Sequence, residues 1–242
     1  MHLIRICRAI MAGIIIAGAL GACTLPEPPP SARIEAVAMA AGQRADVAAE
    51  TMLRAWAAQH DPVAERELGM LYRARNRAGQ QDEAMRLLAR AGNAGDADAA
   101  FALGEMLRAR QSPLAAPWLE RAAAQHHAKA ALLLALLYKN AELVAHDDTA
   151  AAHWLTVASD AGNPHAMFLL HYAYIGGRGV APDAVHARAL LEESAEHEYP
   201  PAQQELALAV QAGDALTPKD ALRASHLLKE ANEHRHNNAQ RF

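Results

Sequence analysis

The amino-acid sequence predicts an all-α protein built from about five similar helix pairs in a row. Hydrophobic residues make up 52% of the chain, mostly as alanine and leucine, and aromatic residues only 5%. Alanine and leucine are strong helix formers, whereas phenylalanine, tryptophan, tyrosine and threonine, which favour strands, are scarce. A pattern of small and large apolar residues also returns every 31 to 36 residues, a period typical of helix-pair solenoids.

The N-terminus predicts a bacterial lipoprotein. Arg5 and Arg8 precede an uncharged apolar run over 9–22, which has the length of a signal-peptide core and is too short to span a membrane. The run ends in Leu20-Gly21-Ala22-Cys23, which resembles the lipobox whose cysteine is diacylated after cleavage. The alternative is an ordinary secretory signal with a chance cysteine at the cleavage point.

Two further residues refine the predicted location. The second cysteine, Cys7, lies in the removable segment, so the mature chain has no disulfide and only its lipid attaches it to the membrane. Thr24 follows the lipidated cysteine, where enteric lipoproteins kept in the inner membrane have aspartate, so the resemblance implies the outer membrane, facing the periplasm. A proline-rich stretch within 23–32 predicts an extended tether.

Two sets of columns define the repeat. Each first helix has a small residue, here called the anchor alanine, then large residues four and eight positions later. These triplets are Ala64/Leu68/Tyr72, Ala99/Leu103/Leu107, Ala130/Leu134/Tyr138, Ala166/Leu170/Tyr174 and Ala202/Leu206/Val210. The second helices carry Ala84/Leu87/Ala91, Ala115/Trp118/Ala122, Ala151/Trp154/Ala158, Ala187/Leu190/Ser194 and Ala224/Leu227/Ala231. Steps of three and four residues place each triplet on one helical face, so we expect both sets in the core.

Proline dipeptides predict where helices begin. Asp61-Pro62, Ser112-Pro113, Asn163-Pro164 and Thr217-Pro218 each combine an N-cap residue with a proline suited to the first helical position. Residues 47–59 fit an unpaired second helix that opens the array. The resulting domain prediction is a signal peptide over 1–22, a lipidated cysteine and tether over 23–32, a capping helix within 33–60, repeats over 61–235 and a frayed tail over 236–242.

These columns resemble the Sel-one-like repeats, relatives of the tetratricopeptide repeat, over roughly residues 47 to 235. The fourth unit carries nearly the whole pattern: Ala166, Leu170, Tyr174, Gly177, Arg178, Gly179, Val180, Asp183, Ala187, Leu190 and Ala195. The other units are degenerate; the first keeps Leu68-Gly69 and Tyr72 but lacks the glycine turn. The resemblance implies a right-handed superhelix that serves as an interaction scaffold without chemistry of its own.

No residue pattern predicts catalysis, a cofactor or a metal site. The sequence has no hydrolase, zinc-protease, P-loop or dinucleotide motif, and Gly176-Gly177-Arg178-Gly179 is interpreted as a turn between helices. The histidines include no pair three or four residues apart, the spacing that two ligands on one helix need. The formal net charge of −4 also disfavours a nucleic-acid partner, because phosphate binding needs clustered cations.

In the related tetratricopeptide geometry the first helices line a groove. Counting two and six positions from the anchor alanines predicts an apolar partner groove at Phe101, Leu132, Leu136, Phe168 and Tyr172. For Phe101 and Phe168 a partly core position is an equal alternative, whereas Leu136 and Tyr172 favour the groove.

Cations gather near the ninth position after the anchor in the first three units, as Arg73, Arg75, Arg108, Arg110 and Lys139. This basic edge suits an anionic ligand. Favourable placement of cations at helix C-termini is the alternative.

The sequence therefore predicts an outer-membrane lipoprotein that scaffolds a complex of envelope proteins. Its architecture resembles that of scaffold lipoproteins in exopolysaccharide export. The alternative function is direct binding of peptidoglycan, an exopolysaccharide or an anionic peptide.

Overall fold

The computed structural model describes residues 29–77, 79–213 and 215–239, with side chains up to residue 233. Within these ranges the chain forms twelve α-helices and no strand, which confirms the all-α helix-pair solenoid. The helices are α1 (Ser31–Gln43), α2 (Val47–Ala57), α3 (Pro62–Arg75), α4 (Gln80–Asn93), α5 (Ala97–Ala109), α6 (Ala115–Ala123), α7 (Ala128–Asn140), α8 (Asp148–Asp160), α9 (Pro164–Gly176), α10 (Ala184–Glu196), α11 (Pro200–Ala212) and α12 (Ala221–Ala239).

The helices pair in chain order, so that each odd-numbered helix packs against the even-numbered helix that follows it. The prediction that α2 is unpaired is wrong, because α1 precedes it and packs against both α2 and α3. At the other end, α12 continues to Ala239, into the segment that the sequence assigned to a tail. The predicted signal peptide and Cys23 lie outside the described residues.

Helix starts follow local capping chemistry in most pairs. The side chains of Asp61 and Asn163 accept hydrogen bonds from Ala64 N and Ala166 N, so both predicted caps with a following proline are confirmed. The other two dipeptides do not begin helices. Helix α6 starts at Ala115, after Pro113, and α12 starts at Ala221, where Asp220 accepts a hydrogen bond from Arg223 N.

Most residues of the repeat columns lie in the core. All five anchor alanines are 0% exposed, which lets each first helix approach its neighbours closely. Trp118 and Trp154 are only half-buried, whereas the residue after each of them, Leu119 or Leu155, is buried. The buried residues form three successive clusters along the array, over α1–α5, α5–α10 and α10–α12.

Candidate interaction face on the first helices

The predicted groove residues lie on α5, α7 and α9, three successive first helices. We call the surface made by positions two and six after the anchor alanines of α3, α5, α7, α9 and α11 the first-helix face. Its second-position residues are half-buried: Arg66, Phe101, Leu132, Phe168 and Gln204. Its sixth-position residues are Met70, Glu105, Leu136, Tyr172 and Leu208, of which the last two are exposed.

Second-position side chains contact the residue that precedes the next first helix. The Phe101 ring stacks on His127 with centroids 4.5 Å apart, and Phe168 meets Tyr199 edge to face at 5.5 Å. Both partners occupy the N-cap position of the following first helix. Phe101 and Leu132 also pack against the middle core cluster and Phe168 against the last one. Phe101 and Phe168 therefore hold neighbouring repeats together, and all three residues contribute to the face.

Sixth-position residues are placed nearer the surface. Tyr172 is 43% exposed and Leu208 is 62% exposed, and Ile175 is exposed nearby on α9. Leu136 is half-buried, and neither it nor Tyr172 is among the side chains that pack against the three described core clusters. The face therefore presents an apolar column across α7, α9 and α11.

A hydrogen bond holds Tyr172 against the next repeat. Its hydroxyl donates to a carboxylate oxygen of Glu205 on α11. Partial burial, followed by the contact with this carboxylate, raises the pKa of Tyr172 to about 12, since both disfavour the phenolate. Next to it, buried His171 donates from Nδ1 to the carbonyl oxygen of Ala187 at 2.8 Å. The tyrosine thus offers a fixed, neutral ring to a partner.

The aromatic residues continue toward the start of α9. His165 stacks on Tyr199 with centroids 5.3 Å apart. Burial, and secondarily the positive charge of Lys139, lowers the pKa of His165 below its usual value. Both effects favour the neutral form of this ring, which extends the uncharged part of the face.

The four arginines of the predicted basic edge all contact carboxylates of the same chain. Arg73 donates to Glu105 at 2.8 Å and Arg108 to Glu142 at 3.0 Å, each linking one first helix to the region of the next. Arg75 pairs with Glu50, and Arg110 with Asp82 at 2.9 Å. Lys139 is exposed. The edge is consequently a row of ion pairs rather than a row of uncompensated cations.

Several residues of this face were not predicted from the sequence. These residues are the contact partners of the predicted ones. They are His127, Tyr199 and Glu205 on the apolar side, and Glu105 and Glu142 on the charged side. Each lies about one repeat period after its partner or opens the next first helix, and that spacing is the signal that could have identified them.

The described residues contain no group of three or more histidine, cysteine or carboxylate side chains placed to hold a metal ion. Among the described helices, none combines the length and apolar character needed to cross a membrane.

Solved structures share this fold. A protective antigen present in uropathogenic Escherichia coli strains, which displays an SLR fold, superposes with a TM-score of 0.74 at 22% identity over 84% of this chain and 46% of its own. A Sel1 repeat protein from Oxalobacter formigenes superposes with a TM-score of 0.71 at 24% identity over 84% of this chain and 62% of its own. The chain thus spans less than two thirds of either protein. No family model and no curated protein matches the sequence. The chain has the Sel1-repeat fold, as the repeat columns predict.

Proposed function

We propose that this protein is a lipid-anchored scaffold on the periplasmic side of the outer membrane, where it assembles an envelope or exopolysaccharide-export complex. The signal-peptide pattern, Cys23 and Thr24 support the anchor and the membrane. The Sel1-repeat fold is commonly a protein–protein interaction scaffold, which supports the role. In this proposal the chain carries out no reaction itself.

The observation that carries the proposal is the apolar column of Leu136, Tyr172 and Leu208 on α7, α9 and α11. An exposed apolar strip on a soluble domain marks a contact site, because its burial against a partner releases water at a gain of about 25 cal/mol per Å². A strip across parallel helices suits the apolar face of an amphipathic partner helix. We infer that such a helix is the bound element.

Binding of an anionic polymer or peptide is the second candidate. An open cleft of about 500 Å³ adjoins Arg73, Arg108 and Arg110, and Arg108 Nε is buried without a hydrogen-bond partner among the described residues. However, each of these arginines already contacts a carboxylate, so an anionic ligand would have to displace an ion pair. The apolar column requires no such exchange and is preferred.

A site-specific crosslinking experiment in the producing cell tests the scaffold role. A photo-crosslinking amino acid at position 208 should give a discrete adduct, whereas the same group at position 185 should not. Val185 is the matched control, because it is an equally exposed apolar residue on a second helix. Adding Leu136→Asp and Tyr172→Asp should remove the adduct, since two charges would be desolvated against the partner.

Circular dichroism of that double variant is the control for folding. A variant that loses the adduct but keeps its helical signal supports the apolar face. If the adduct persists, or if Arg73→Gln with Arg108→Gln removes it instead, the partner binds the charged side and the second candidate takes over.

A further inference from the structure

Two clefts on the second-helix side of the solenoid occupy equivalent places at its two ends. The first cleft, of about 590 Å³, lies between α2, α3 and α4, and the last cleft, of about 300 Å³, lies between α10, α11 and α12. In both, two successive second helices flank the first helix that lies between them. The repeat columns therefore assign each lining residue of one cleft to a position in the other.

Charges at the equivalent positions are reversed. In the first cleft the charged lining residues are mainly basic, and in the last cleft mainly acidic. In the following pairs the first residue belongs to the first cleft and the second to the last cleft: Arg54 and Glu192, His60 and Glu198, Glu83 and Arg223, and Arg90 and Glu230. The apolar lining is retained, with Leu68 matched by Leu206 and Leu87 by Leu227. The two clefts thus share their shape-determining residues and differ in charge.

The first cleft satisfies its own buried charge. Glu65, next to the anchor alanine of α3, is only 2% exposed. Its Oε1 accepts a hydrogen bond from Nε of Arg90 on α4 at 2.6 Å and lies 3.2 Å from Nδ1 of His60. A guanidinium group from within the chain therefore occupies this cleft.

In the last cleft the same position has an acceptor without a donor. Gln203, the equivalent of Glu65, is also 2% exposed and lines the cleft, and its Oε1 accepts no hydrogen bond from the described part of the chain. The residue equivalent to Arg90 is Glu230, which can only accept. A buried amide oxygen without a donor costs about 1–3 kcal/mol, so this arrangement calls for a donor from outside.

We propose that the last cleft binds the guanidinium group of an arginine side chain from a partner polypeptide, in the place that Arg90 takes in the first cleft. The guanidinium donates to Gln203 Oε1 at the base, and the carboxylates of Glu192, Glu196 and Glu230 surround it. Arg223, 3.8 Å from Glu192, offsets part of this negative charge and leaves an excess of carboxylates. His226 lies 3.5 Å from Glu230 on the outer side of α12.

The geometry favours an arginine for two reasons. Its planar fork can donate to an amide oxygen and a carboxylate at once, which a compact ammonium does less well. The cleft is also far larger than a single ion, and its leucines can cover the aliphatic part of a long side chain. This site is independent of the first-helix face and of the scaffold proposal, because its lining comes from α10, α12 and other positions of α11 and includes no residue of that face.

NMR titration of the full chain with a short peptide, acetyl-Ala-Arg-Ala-amide, tests the site. The backbone amides of α10–α12 and the Gln203 side-chain amide should shift on binding, and the peptide with citrulline in place of arginine should bind at least about tenfold more weakly, because citrulline lacks the charge. Ethylguanidinium tests a free guanidinium source. If it binds while the peptide is excluded, the polypeptide assignment is overturned.

A charge swap gives the sharper comparison. The double variant Gln203→Glu with Glu230→Arg recreates the charges of the first cleft. The protein's own arginine should then fill the site and lower the affinity for the peptide by about tenfold or more. Glu193→Gln changes the net charge by the same amount on exposed surface of α10 and should leave affinity unchanged.

Gln203→Leu covers the case in which the swap does not fold. It removes the acceptor with little change of volume and should also weaken the arginine peptide. Unchanged affinity in either Gln203 variant, equal binding of the citrulline peptide, or shifts centred outside α10–α12 would each overturn the assignment.

Discussion

At the scale of single residues, the second position after the anchor alanine connects one repeat to the next in three of the described repeats. Arg66 donates to Asp96 at 3.0 Å, Phe101 stacks on His127, and Phe168 meets Tyr199. The first contact is an ion pair and the other two are aromatic, but in each case the side chain reaches the residue just before the next first helix. A substitution at this position therefore changes the joint between repeats, so the sixth-position residues are better targets for separating binding from folding.

Cys23 is the residue on which the proposed membrane anchor depends. Cys23→Ser should block lipidation, because a hydroxyl cannot replace the thiol that accepts the diacylglycerol. The variant should leave the membrane fraction or stay uncleaved, and wild type should incorporate labelled fatty acid. Cys7→Ser is the matched control, since Cys7 lies in the predicted signal peptide and should not affect labelling. An unlabelled wild type together with a membrane-bound serine variant would contradict the lipoprotein prediction.

At the scale of helices, local chemistry made some starts predictable and not others. Asp61 and Asn163 cap the helices that their prolines open, because only neighbouring backbone groups take part. At Ser112-Pro113 the hydroxyl accepts from Leu114 N in a turn, and the helix begins later. Thr217 is buried before α12, so tertiary packing determines its place. Most of α1 falls within the capping helix predicted over 33–60, but its separation from α2 was missed because no repeat column marks it.

The glycine turn after α9 packs closely against the start of α8, and a substitution in it should destabilise the protein. A Cβ on Gly179 would lie 1.9 Å from the carbonyl oxygen of Asp148 at the start of α8, and its φ of +71° disfavours other residues. Gly179→Ala should therefore destabilise the protein by about 3 kcal/mol or more in urea unfolding.

Gly176, in the same turn region, is the matched control for this change. It ends α9, and its added Cβ would meet only the side chain of Arg178 at 3.6 Å. Gly176→Ala should stay within about 1 kcal/mol of wild type, because alanine is favoured in a helix. Equal stabilities for the two variants would mean that the turn does not pack against α8.

At the scale of the whole molecule, the core columns could be predicted from the sequence, whereas the ion pairs between neighbouring repeats could not. The core columns follow from steps of three and four residues within one helix. The pairs Arg73–Glu105 and Arg108–Glu142 join residues 32 and 34 positions apart, and depend on how one repeat is rotated on the next. That rotation is a property of the stacked helices, so the basic residues were visible from the sequence and their neutralisation was not.

Each described repeat packs mainly against its neighbours, so a substitution in the core of one repeat should destabilise that region first. Leu155 is 4% exposed in the middle core cluster and lies on α8, which packs mainly against α7 and α9, so Leu155→Ala should cost about 2–5 kcal/mol and act locally. Hydrogen exchange should accelerate first in α7–α10 and last in α1–α4. Trp154→Ala should lower the free energy of unfolding by less than the loss of a fully buried ring would, because Trp154 is half-buried. The control is His153→Ala, on the exposed side of the same helix, which should change the stability little. A uniform acceleration along the whole chain would instead mean that the repeats unfold as one cooperative unit.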